Sequence, residues 1–149
     1  MTLRACITFS LLSALALGLP EHARADDQDT IDYRRTIMRT LEEQQGAIQQ
    51  ILHQKTSPEN FAVHAQVLAI TSGVAKKAYE AKVPGNGAKP NVWTQWADFS
   101  KRLDELTAAT AAVAKSAKEG GIATAGGQIA DIASKCKGCH EIYREPQKQ

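Results

Sequence analysis

The chain is too poor in cysteine for a disulfide framework, and it has no second Cys/His pair to complete a structural zinc site. Three of its 149 residues are cysteine. A closed zinc site needs four ligands, and a disulfide scaffold needs an even set of spaced thiols. No stretch alternates apolar and polar residues with period two, which excludes a strand-rich fold and the strand–helix setting of a thioredoxin-like thiol pair. Charge is not biased to one sign. Eighteen basic and 16 acidic side chains give a formal net charge of +2. This balance gives no reason to expect nucleic-acid or membrane-surface binding. Internal repeats and low-complexity tracts are absent as well.

The one long apolar run is N-terminal. Arg4 gives a short positive start, Ala5 to Leu19 is nearly all apolar or small, Pro20 breaks the run, and Ala23-Arg24-Ala25 fits an A-x-A cleavage pattern. This reads as a secretory signal peptide over residues 1–25, too short for a comfortable membrane span. The alternative is an uncleaved anchor. Cleavage removes Cys6 and leaves a single domain over residues 26–149, large enough to bury one core. Losing Arg4, Arg24 and Glu21 lowers the net charge of +2 by one. The expected location is the bacterial periplasm, with no membrane insertion after cleavage.

Four amphipathic stretches follow. The first runs from about Asp29 to Lys55, with Asp26, Asp27 and Asp29 at the end where the helix dipole favours negative charge. Ile31, Met38, Leu41, Ile48 and Leu52 form its apolar face, and Arg34 and Gln45 fall on the same face. The second opens at Ser57-Pro58-Glu59, a cap followed by proline at the first helical position. It continues through Phe61, His64, Leu68, Thr71 and Ala78 to a loop at residues 83–90. The third takes Asn91 as its N-cap. Val92, Trp96, Phe99, Leu103, Leu106, Thr110, Val113 and Ala117 recur three and four apart until Gly120-Gly121 closes it. The fourth runs from about Ile122 to Tyr143, with Ile129, Ile132, Cys136, Cys139 and Tyr143 on one stripe. Four such stretches with mostly short links predict an all-α, antiparallel four-helix bundle.

Cys136-Lys137-Gly138-Cys139-His140 carries the chemistry. Thiols three apart lie on one helical face, and each can add to a haem vinyl group. The histidine that follows is placed to bind the iron. The expected cofactor is therefore one haem c, attached through two thioethers. A thiol protein without haem, forming or exchanging a disulfide, is the competing reading.

In residues 26–149 the only methionine is Met38, on the apolar face of the first helix. It is either core filling or a residue facing the haem. Arg34, one turn earlier, needs an anion if buried, and a haem propionate would serve. Arg144, one turn after His140, could reach a propionate, cover the histidine, or remain solvated. His64 reads as a hydrogen-bonded or rim histidine and His53 as solvated. Trp96 is the expected core tryptophan, with Trp93 at a helix edge or a dimer interface.

Cys136-Lys137-Gly138-Cys139-His140-Glu141-Ile142-Tyr143-Arg144 resembles the haem motif of class II cytochromes c, which are cytochrome c′ and its low-spin relatives. Tyr33-Arg34 followed by a large apolar residue at Met38 is similar to the first-helix motif of that family. Pro90-Asn91-Val92-Trp93 with Phe99 resembles the start of its third helix. The resemblance spans residues 26–149 and implies a left-handed bundle with haem between the first and last helices. It also implies two branches. Methionine at position 38 points to six-coordinate His140/Met38 iron, hence a periplasmic electron carrier serving redox partner proteins, without catalytic turnover. The alternative is a five-coordinate haem that binds small gases such as nitric oxide. A homodimer is possible in either case.

Overall fold

The computed structural model describes residues 26–85 and 87–146. The expected signal peptide at residues 1–25 lies outside them. The described chain is nearly all helical. Helix α1 spans Asp27–Leu52, α2 Phe61–Ala75, α3 Asn91–Thr94, α4 Trp96–Ala125 and α5 Ile129–Tyr143. The single turn α3 leads into α4, and α1, α2, α4 and α5 are the four helices of the bundle. No strand is formed among the described residues; the only extended pairings are isolated bridges, Gly85 with Ala88 and Ala88 with Arg144.

Helix α1 begins as its acidic start demands. Asp26 caps it, accepting from the Asp29 backbone N–H at 2.7 Å. Its buried face is Arg34, Ile37, Leu41, Ile48 and Ile51, rotated from the expected stripe. Ile37 and Ile51 are buried, while Ile31, Met38 and Leu52 are only partly so, Met38 and Leu52 packing against the edge of the core. Leu41 and Ile48, seven apart, fit both stripes, so spacing alone did not choose between them.

The second stretch starts with Pro58 at the first position of a 3₁₀ turn, Pro58–Asn60. Phe61, Ala65, Leu68 and Ala75 of α2 are buried. A hydroxyl pair fastens α2 to α4: Ser72 Oγ lies 2.6 Å from Thr110 Oγ1, and Thr107 donates to the Ser72 carbonyl at 3.1 Å. Both members of the pair are buried and hydrogen-bonded, as a polar contact in a core must be.

Two details of the third stretch differ from expectation. Asn91 does not cap. It lies inside α3, and its side-chain Nδ2 donates to the Ile142 carbonyl at 3.1 Å. The helix also breaks at Gln95 (φ −116°, ψ 38°) before α4 begins. The expected end at Gly120-Gly121 is a real kink. Gly121 has φ +58°, and a Cβ on Gly120 would stand 1.9 Å from Thr124 Oγ1.

Candidate haem site

Burial of Ile129, Ile132 and Tyr143 orients α5. Cys136 and Cys139 continue that stripe toward the same side, which places both thiols against the core. They open into a cavity of about 660 Å³, within the range of small-molecule and cofactor sites. Its apolar walls come from α1 (Met38, Leu41), α2 (Leu68), α4 (Phe99, Leu103, Leu106) and α5 (Ile132). His140 lines it too, the only histidine among the described residues that does. Polar side chains at the site include Arg35, Arg39, Glu42, Lys135 and Arg144. The site thus has two thiols on one face, an imidazole beside them and an apolar interior. That set of donors fits a covalently held porphyrin.

Burial disfavours the thiolate form of both cysteines. Both cysteines are free thiols. Burial pushes the Cys136 thiol up, and burial pushes Cys139 up to about 11, against the lowering influence of Arg102. Redox-active thiol pairs need a depressed pKa, so this pair is poorly suited to disulfide exchange. Burial lowers the His140 pKa, aided by the Arg144 charge and opposed by Glu42. The imidazole is therefore held in the neutral form that binds metal. Among the described residues no group of three or more His, Cys, Asp or Glu side chains could hold a metal ion.

The other site residues fall as follows. Met38 is half-buried and lines the cavity, so it is not simple core filling. Arg144 is exposed and also lines it. Arg34 is only 3% exposed, as its place on the apolar face implied. Nη1 donates to the Val83 carbonyl at 2.5 Å and Nη2 to the Gly85 carbonyl at 3.5 Å. The guanidinium also lies over the Tyr79 and Trp93 rings, 5.2 and 5.4 Å from their centroids. Carbonyl dipoles and two π-faces meet its charge, and the side chain also lines the cavity.

Trp93 is turned inward over Arg34, its indole N–H donating to the Tyr79 carbonyl at 2.9 Å. Trp96 is half-buried against Phe99. His64 does not line the cavity; its Nδ1 pairs with Gln44 Oε1 at 2.8 Å. His53 is exposed at the C-terminus of α1. Sequence reasoning missed Tyr79 and Arg102 as cavity residues. Arg102 could have been found, because it sits three after Phe99 on the cavity side of α4. Tyr79, in a 3₁₀ turn, carried no such signal.

A family model described as Cytochrome C′ matches residues 29–144. The chain belongs to the cytochrome c′ family. Cytochrome c′ carries one covalently attached haem c, and Cys136 and Cys139 are the thiols that match its attachment motif. A cytochrome c′ from Rubrivivax gelatinosus is 28% identical over 123 residues, covering 78% of this chain and 95% of the relative. Among solved structures, a ferrous cytochrome c′ variant from Alcaligenes xylosoxidans with bound NO superposes with a TM-score of 0.77. It is 18% identical, and the match covers 83% of this chain and 99% of that one. A cytochrome c′ from Shewanella frigidimarina gives 0.76 at 24% identity, covering 83% and 99%.

These findings overturn the expectation of a six-coordinate His140/Met38 electron carrier. The family model and the curated relatives are all described as cytochrome c′. Several of the solved neighbours hold nitric oxide or carbon monoxide. The physical source of the error is that methionine is chemically ambiguous: a thioether on a cavity wall can serve as a ligand or as an apolar surface.

Proposed function

We propose that this protein binds a small diatomic gas, nitric oxide or carbon monoxide, at a five-coordinate haem held by α5. The observation that carries the reading is the cavity of a cytochrome c′ chain, lined by His140 alone among the described histidines. When bound, the haem, held by Cys136, Cys139 and His140, would supply an iron able to take a gas molecule.

The rest is done by the chain. Cys136 and Cys139 fix the cofactor to the helix that also carries its axial ligand, so neither can drift relative to the other. Burial keeps His140 neutral and ready to coordinate. Met38 and Leu41 from α1 line the cavity as apolar wall and reduce water access. In this reading Met38 limits space and does not supply an electron pair. The reading includes no catalytic turnover. The proposed setting is the periplasm, inferred from the leader-like residues 1–25 and the family. No helix of the described residues is long and apolar enough to cross a membrane.

Titration of the reduced holoprotein with carbon monoxide tests the reading. Saturable binding with a shift of the Soret band is the expected result. A reduced protein whose spectrum ignores the gas would refute it.

A further inference from the structure

The last carbonyls of a helix have no partner inside it and must find donors elsewhere. At the end of α5 those donors come from the segment of residues 83–85 and 87–91. The Lys89 N–H donates to the Tyr143 carbonyl at 3.0 Å, and Asn91 Nδ2 to the Ile142 carbonyl at 3.1 Å. Lys89 Nζ reaches the Glu141 carbonyl at 3.4 Å. Just beyond the helix, the Glu145 N–H donates to the Gly87 carbonyl at 2.7 Å. Three successive carbonyls directly after His140 are thus satisfied by this one strap.

The strap is fastened to α1 at its other end. Arg34 grips the Val83 and Gly85 carbonyls from a buried position between Tyr79 and Trp93. Gly85, at φ +126°, lies so close to α1 that a Cβ there would stand 3.0 Å from Ile31 Cδ1. A chain of contacts therefore runs from α1 through the strap to the turn that carries His140.

We propose that Arg34 is a positioning residue for His140: by latching residues 83–85 to α1 it seats the strap that holds the last turn of α5. The long cationic side chain suits this task because its fork spans two carbonyls while its faces pack on aromatic rings. The inference rests on the haem reading of His140 and is independent of which gas, if any, the iron takes.

The test is carried out on holoprotein with Arg34→Met, Arg34→Lys and Gly85→Ala. Amide hydrogen exchange reports the strap, and the Fe–His stretching band of the reduced protein reports His140. Arg34→Met is expected to speed exchange at Lys89 and Glu145 by about tenfold or more, while the middle of α4 is unchanged. It is also expected to shift or broaden the Fe–His band. Arg34→Lys should fall between wild type and Arg34→Met, since an ammonium keeps one contact. Gly85→Ala should reproduce the Arg34→Met pattern with the arginine intact. The proposal is overturned if Lys89 and Glu145 keep wild-type protection, or if exchange rises equally throughout the bundle. It is also overturned if the strap loosens and the Fe–His band stays where it was.

Discussion

The Tyr143 hydroxyl donates to Asp98 Oδ2 at 2.6 Å, and Arg102 Nε donates to the same oxygen at 2.6 Å. One carboxylate thus ties α5 to α4 three residues after His140. The Arg102 hydrogen bond, followed by that of Tyr143, holds the Asp98 carboxyl below its ordinary range.

This gives a pH dependence with a definite sign. An unfolded aspartate titrates near about 3.9. Because the folded pKa is depressed, the tie contributes in full above that value and is lost as pH falls through the lower folded pKa. Tyr143→Phe and Asp98→Asn are each expected to lower the melting temperature at pH 7, with the deficit shrinking towards pH 3. Thermal unfolding followed by circular dichroism across that range checks it; a deficit that grows in acid would contradict it.

Phe61 is 1% exposed and Ile48 fully buried. Phe61→Ala is expected to destabilise the bundle by about 3–5 kcal/mol, and Ile48→Val by about 0.5–1.5 kcal/mol. Urea unfolding of the holoprotein measures both, and the phenylalanine deletion should be the larger by a factor of two or more.

Thr110→Val removes one half of the buried hydroxyl pair, while Ser72 keeps the Ala69 carbonyl as an acceptor at 2.9 Å. Since Ser72 is not orphaned, the expected loss is that of an ordinary hydrogen bond, about 0.5–1.5 kcal/mol. Chemical denaturation would show it as a lower midpoint with an unchanged slope.

Each thiol should hold one thioether. Cys136→Ser and Cys139→Ser are each expected to keep haem through a single bond, with the remaining vinyl group shifting the α band of the pyridine haemochrome. The double variant should lose all haem on a denaturing gel. Haem that remains on the double variant after denaturation would remove the attachment claim.

The bundle was legible because its signals are local. Phe99, Leu103, Leu106, Thr110, Val113 and Ala117 recur at helical spacing and are all buried. The haem motif was legible because Cys136, Cys139 and His140 are neighbours in sequence. Arg34 shows where such reading stops. Its burial could be expected, but its partners at Val83 and Gly85 lie 49 and 51 residues away and are backbone carbonyls, which no side-chain pattern marks. Asn91 fails for a similar reason: its cap role loses to a carbonyl of α5 that only the folded chain brings near. Met38 lines the cavity, yet its residue type could not decide between wall and ligand.

The central claim is that the iron keeps an open position opposite His140. Electron paramagnetic resonance and optical spectra of oxidised wild type and Met38→Ala, followed by carbon monoxide addition after reduction, test it most directly. High-spin iron in both proteins, no far-red sulfur-to-iron band, and gas binding by both are the predicted results. A low-spin wild type that shows that band, refuses the gas, and turns high-spin only when Met38 is removed would contradict it.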